Sequence, residues 1–88
     1  MVKVIGRGLE GIREFIRKCI EAGGTPIFRT KYGLRKFRDR VVAACWGAGE
    51  KVEGGTIVDV PPDIIAEMEE KVGDWKWLAE RLGMRIPT

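Results

Sequence analysis

The 88-residue chain contains no histidine, and it also lacks serine, asparagine and glutamine. Without serine and histidine, Ser-His-Asp triads and the usual histidine general base are excluded, so we assign no catalytic residue and expect no enzyme. Hyperthermophile proteins are depleted in heat-labile amides and enriched in charged residues. With 16 Lys and Arg and 13 Asp and Glu, the composition predicts a hyperthermophilic origin, from an archaeon or an archaeal virus.

Long hydrophobic runs are missing as well. No stretch reaches the roughly 18 apolar residues that a membrane-spanning helix requires. The N-terminus has no apolar run long enough for a signal peptide. We therefore expect a small soluble protein that is cytoplasmic, or enclosed in a virion, and has no membrane partner.

Cysteine is scarce, with Cys19 and Cys45 as its two positions. A zinc site needs four closely spaced ligands, so two distant cysteines and no histidine predict no metal site. The helical periodicity places each cysteine on the apolar face of a helix. Buried thiols fit this placement. A disulfide between the two helices also fits, because intracellular proteins of hyperthermophiles form such bonds.

Hydrophobic periodicity predicts the element order β-α-β-α-β-α-α in a single domain, residues 1–88. Glycines and prolines mark the element ends. The alternation of strands and helices predicts an α/β or α+β fold with a small, three-stranded, mainly parallel sheet. An antiparallel hairpin at 51–60 is the main alternative. The strands are expected at 2–5, 25–30 and 56–60, and the helices at 9–20, 34–46, from Pro61-Pro62 to Gly73, and at 75–82 after an Asp74 cap.

Positive charge is concentrated in the first half of the chain. Residues 1–50 carry 11 basic and 5 acidic side chains, whereas residues 51–88 carry 5 basic and 8 acidic ones. Lys and Arg neutralise phosphates and aromatic rings stack on unpaired bases, so the segment 29–40 predicts an accessory nucleic-acid-binding protein with mainly phosphate-directed binding. A salt-bridged, solvated surface is the alternative. The candidate binding residues are Arg29, Lys31, Tyr32, Arg35, Lys36, Arg38 and Arg40, and Phe28 and Phe37 lie among them.

Gly6, Gly8 and Gly11 form a G-x-G-x-x-G pattern between a predicted strand and a predicted helix. The pattern resembles the phosphate-binding turn of Rossmann-type proteins, which implies a phosphate at the helix start. Where that family places a ribose-binding acid, this chain has the basic stretch 29–31. It also has Phe15 where a small residue usually packs helix against strand. A nucleotide-binding half-domain is therefore one alternative function, and a tight structural turn is the other interpretation.

The segment 56–65 runs from a strand through Pro61-Pro62 into a helix and resembles the start of a ribbon-helix-helix protein. The resemblance implies a dimer that inserts its paired strands into the major groove of DNA. The strand positions include no basic residue, and Asp59 is among them.

Trp75 and Trp77 lie two positions apart in the last predicted helix, so they point to opposite sides of it. Trp75 fits the core, which leaves Trp77 toward solvent near Arg81, where a cation–π contact would shelter it. We predict Trp77 and Arg81 as an interface of a homodimer. A protein-interaction or assembly module that uses this end and the acidic C-terminal half is the alternative function.

Overall fold

Seven secondary-structure elements follow one another in the parts of the chain that the computed structural model describes, residues 4–29, 40–47, 54–71 and 75–84. Their order is β-α-β-β-β-α-α, which differs from the predicted order at the fourth element. The elements are β1 (Val4–Arg7), α1 (Gly8–Glu21), β2 (Thr25–Arg29), β3 (Val41–Trp46), β4 (Gly55–Val58), α2 (Pro62–Glu70) and α3 (Lys76–Arg81).

The four strands form one mixed sheet in the order β1-β4-β3-β2. β1 runs parallel to β4, whereas the β2–β3 and β3–β4 pairs are antiparallel. The prediction of a three-stranded, mainly parallel sheet is therefore wrong, and the broader α+β class holds. The parallel pair arises because α1 carries the chain from β1 at one edge of the sheet to β2 at the other.

The main error lies at residues 41–46, which the helical periodicity assigns to the end of a helix and which form the strand β3. Val41 and Ala43 are buried and Val42 between them is exposed, which is the alternation of a strand. Every residue of this run is apolar, so helical and strand periodicities both match it. The rest of that predicted helix, residues 34–39, lies outside the described residues.

β4 is a central strand that pairs with β1 on one side and with β3 on the other. A strand with two neighbours has no free edge, so the ribbon-helix-helix interpretation is wrong for this chain. The alternative hairpin within 51–60 is also not supported, because β4 pairs with the preceding strand β3, although residues 51–53 lie outside the described part. The chain leaves the sheet at Asp59, which has a φ of 61°.

The predicted first helix is confirmed, including its glycine stop. After Glu21, the Gly23 N–H donates to the Ile20 carbonyl and the Gly24 N–H to the Cys19 carbonyl, each at 2.9 Å. Gly23 has a φ of 82°, a conformation that glycine adopts without steric cost. The prolines before α2 also act as predicted, whereas the Asp74 cap predicted for the last helix falls outside the described residues.

One hydrophobic core joins all three helices to the same face of the sheet. The sheet contributes alternate residues to this core, because its other face points away from the helices. The fully or almost fully buried residues of the core are Ile12, Phe15 and Ile16 of α1, Val41 and Ala43 of β3, Ile57 and Val60 in and just after β4, Ile64, Ile65 and Met68 of α2, and Leu78 and Ala79 of α3. Phe28 also packs here, with its ring edge-on to Phe15 at 5.9 Å, and is therefore not available to a ligand.

A disulfide joins Cys19 and Cys45, whose Cα atoms lie 5.7 Å apart. It ties the last turn of α1 to β3. Cys45 therefore lies on a strand and not on a helix as predicted, and of the two open alternatives for the cysteines the disulfide is the one observed. The bond closes a segment with a sequence separation of 26, which includes the basic segment 29–40.

Candidate nucleic-acid interface

The sheet presents its second face away from the helices, a surface that we call the outer face. Successive side chains of a strand point to opposite faces of the sheet. In β3, Val41, Ala43 and Cys45 face the core, so the alternate residues of that strand lie on the outer face. The register extends this assignment to the other strands. The strand residues on the outer face are Val4, Arg7, Thr25, Ile27, Arg29, Val42, Ala44, Trp46, Thr56 and Val58.

The outer face is mainly apolar and is exposed in part, since Thr56 on the central strand β4 is buried. Among the described residues, the exposed large hydrophobic side chains are Val4 (61%), Val42 (41%) and Trp46 (70%), and all three lie on this face. None of the three packs against the hydrophobic core. Three such side chains on one face of so small a domain make this surface a candidate for binding, because exposed apolar patches often occur at interaction sites.

Basic side chains converge at one end of the outer face. Arg29, the last residue of β2, pairs with Val42 across the ladder. Arg7, the last residue of β1, pairs with Val58 of β4. Arg40 directly precedes β3. It is one residue beyond the pair of Val41 with Ile57, so it lies at the same end of the sheet as Arg7 and Arg29. Arg7, Arg29 and Arg40 are all exposed at this basic end, which lies beside an apolar surface.

An ion pair at the basic end involves Arg7, whose Nε lies 3.8 Å from Oδ2 of Asp59. Both side chains are more than half exposed, so solvent screens the pair and it holds Arg7 only weakly. Arg7 thus keeps most of its ability to meet a phosphate. None of the described strand residues on the outer face is acidic.

Trp46 lies at the opposite end of the outer face from the arginines. It pairs with Thr25, four residues along β2 from Arg29. At about 3.3 Å per residue, the two ends are about 13 Å apart. The indole and the basic end thus bracket a strip formed by Val42, Ala44 and Ile27.

The structure describes two of the seven predicted nucleic-acid-binding residues, Arg29 and Arg40. They lie at the ends of two neighbouring strands, so both ends of the basic segment are fixed at the basic end of the outer face. Trp46 and Arg7 are not among the predicted residues. No signal in the sequence marks Trp46, because residues 41–46 are all apolar and the pairing of β3 with β2 decides its side of the sheet. The other five predicted residues, Lys31, Tyr32, Arg35, Lys36 and Arg38, lie outside the described residues.

The glycine pattern brings β1 and α1 into backbone contact. A Cβ atom on Gly6 would lie 2.5 Å from the Cα of Gly11, a distance that no side chain tolerates. Gly8 has a φ of 59°, which lets the strand turn directly into the helix. Since α1 begins at Gly8 without an intervening loop, these glycines have a structural role that explains all three positions.

The predicted interface residues Trp77 and Arg81 both contact their own domain. Trp77 is half-buried against the core, and Lys71 Nζ lies 4.8 Å from its ring centroid. The Arg81 guanidinium pairs with Asp63 and Glu67 of α2. Trp75 also packs against the core, although its backbone dihedrals are helical and it lies two residues from Trp77, so the expectation that only one of the two tryptophans contacts the core is wrong. The homodimer through Trp77 and Arg81 stays a prediction.

A shallow groove of about 160 Å³ lies along the solvent side of α1. Within the helix, Glu14 contacts both Arg17 at 2.6 Å and Lys18 at 3.7 Å. The solvent side of α1 is therefore a surface of mixed charge. It is a suitable control for the arginines of the outer face.

Comparisons of the chain with known protein families, curated proteins and solved structures found no match. Within the described ranges, no helix is long and apolar enough to cross a membrane. No group of three or more His, Cys, Asp or Glu residues in those ranges could hold a metal ion.

Proposed function

We propose that the protein is a small accessory nucleic-acid-binding protein that holds phosphates at the basic end of its outer face. The observation that supports this most is the placement of Arg7, Arg29 and Arg40 beside an apolar sheet surface without an acidic strand residue. Guanidinium groups form bidentate hydrogen bonds with phosphate oxygens. The apolar surface beside them suits sugars and bases.

The sequence between Arg29 and Arg40 supplies further positive charge. Between Arg29 and Arg40 the chain carries four further basic residues and Tyr32, with Asp39 as the one acid. Such a density of positive charge attracts a polyanion over several ångströms and releases its counterions on binding. Binding of this kind is mainly sequence-independent. The chain lacks the Asn and Gln side chains that read adenine through paired hydrogen bonds.

A salt titration tests the proposal. Binding of a fluorescently labelled oligonucleotide is measured between 50 and 300 mM salt for the wild type and for Arg29→Ala/Arg40→Ala. Removing two phosphate contacts lowers the slope of log K against log salt by about 1.4 to 1.8.

The matched control is Arg17→Ala/Lys18→Ala, which removes the same charge from the ion-paired surface of α1. It should lower the slope by much less, since neither residue lies on the outer face. Equal losses in the two double variants would mean that binding depends on net charge alone. Absence of binding at low salt would overturn the proposed function.

A further inference from the structure

We infer that the outer face takes single-stranded nucleic acid, with an unpaired base stacked on Trp46, an inference that rests on the proposed function. The phosphate contacts at the basic end leave Trp46 unexplained. Its side chain is 70% exposed at the far end of the same face. An indole is the largest aromatic surface available for stacking, and each stacked base adds affinity without requiring a particular sequence.

The residues around Trp46 leave room for a base. Its partner across the ladder is Thr25, and Ala44 is the next outward residue on β3. Both side chains are small, so they form a low floor beside the indole. Ile27 and Val42 continue this floor toward Arg29, which gives one continuous apolar strip from the ring to the basic end.

The dimensions of the strip suit a short length of single strand. The Trp46 row and the Arg29 row lie about 13 Å apart. One short single strand can therefore place a base on the indole and a phosphate further along the strand at the basic end. A duplex keeps its base faces inside the stack, where this surface cannot reach them.

The polar groups of the outer face also favour stacking over reading of base edges in a groove. Two-stranded ribbons that enter the major groove need donors and acceptors along the strands. Here the polar side chains of the described strands are Thr25, Thr56, Arg7 and Arg29, and Thr56 is 8% exposed. The described strands therefore offer few side-chain hydrogen-bonding groups for reading base edges.

A second copy of the chain is a poorer fit to this surface. The four described strands present an area of roughly 300–400 Å² if neighbouring strands are about 4.8 Å apart. A stable interface buries about 800 Å² on each partner.

The inference is tested with three probes of one sequence: a single-stranded DNA 12-mer, the matching RNA and the DNA duplex. Loss of one stacked base predicts that Trp46→Ala weakens binding of the single strands by about 5- to 150-fold. Binding of the duplex should change by less than twofold. Trp46→Phe should restore most of the affinity for single strands, because it restores an aromatic ring.

The outcomes separate this inference from the proposed function. If Arg29→Ala/Arg40→Ala weakens binding of all probes but Trp46→Ala leaves the single strands unaffected, the proposed function stands and stacking is wrong. If no probe binds at low salt, both are wrong. If wild type sediments as a dimer and Trp46→Ala as a monomer with unchanged binding, the outer face is a self-interface and the inference is overturned.

Discussion

A Cβ atom added to Gly6 would lie 2.5 Å from the Cα of Gly11, so the backbones of β1 and α1 touch at this point. We expect Gly6→Ala to lower the free energy of unfolding by about 1–3 kcal/mol, the usual range for overpacking a tight contact. Urea denaturation measures the change. Arg13→Ala on the exposed side of α1 is the control and should stay within about 0.5 kcal/mol of wild type. An equally stable Gly6→Ala variant would contradict the close contact.

The same contact predicts that the glycine pattern does not hold a nucleotide. The pattern directly joins β1 to α1, and the resemblance to Rossmann-type proteins extends to a strand followed by a helix but not to the parallel sheet of that fold. Isothermal titration with nicotinamide and adenine nucleotides should give no binding heat. A micromolar dissociation constant would instead favour the nucleotide-binding half-domain.

The disulfide between Cys19 and Cys45 predicts a redox-dependent stability. Cross-linking across a sequence separation of 26 reduces the entropy of the unfolded chain, which is worth about 3.5 kcal/mol in the loop-closure model. Reduction should therefore lower the midpoint of urea unfolding markedly. Cys19→Ala/Cys45→Ala is the control, since its stability should not respond to reductant. A wild type that is equally stable with and without reductant would contradict a stabilising bond.

Trp77 is half-buried beneath Lys71, so it contributes to the stability of its own domain. Trp77→Ala should lower the free energy of unfolding by about 2 kcal/mol, because it exposes an apolar surface now covered by a ring. Sedimentation equilibrium on the same samples tests the predicted homodimer. If wild type and variant are both monomers at tens of micromolar, the homodimer through Trp77 and Arg81 is wrong.

The parts of the fold that the sequence predicts well are those with a single consistent signal. α1 has apolar residues at helical spacing and a glycine stop at Gly23, and the structure agrees with both. Residues 41–46 carry no such signal, because an unbroken apolar run fits a helix and a strand equally. Pairing with β2 and β4 decides between them, and that pairing depends on residues distant in the sequence.

The residues of the candidate site also differ in whether a local sequence signal identifies them. Charge clustering identifies Arg29 and Arg40 directly, since local composition is enough to detect a basic segment. Trp46 is not identified from the sequence, because the sequence assigns it to a helix. Its place on the outer face follows only from the strand β3. Arg7 escapes as well, because its proximity to Val58 depends on the parallel pairing of β1 with β4.

The central claim is that nucleic acid binds on the outer face, and amide chemical-shift mapping tests it most directly. A ¹⁵N-labelled sample is titrated with the single-stranded DNA 12-mer at low salt. We predict the largest shifts at Ile27, Arg29, Val42 and Trp46, including the Trp46 indole N–H, with little change along α1. Shifts confined to the exposed side of α1, or to α3 around Trp77, would contradict the account.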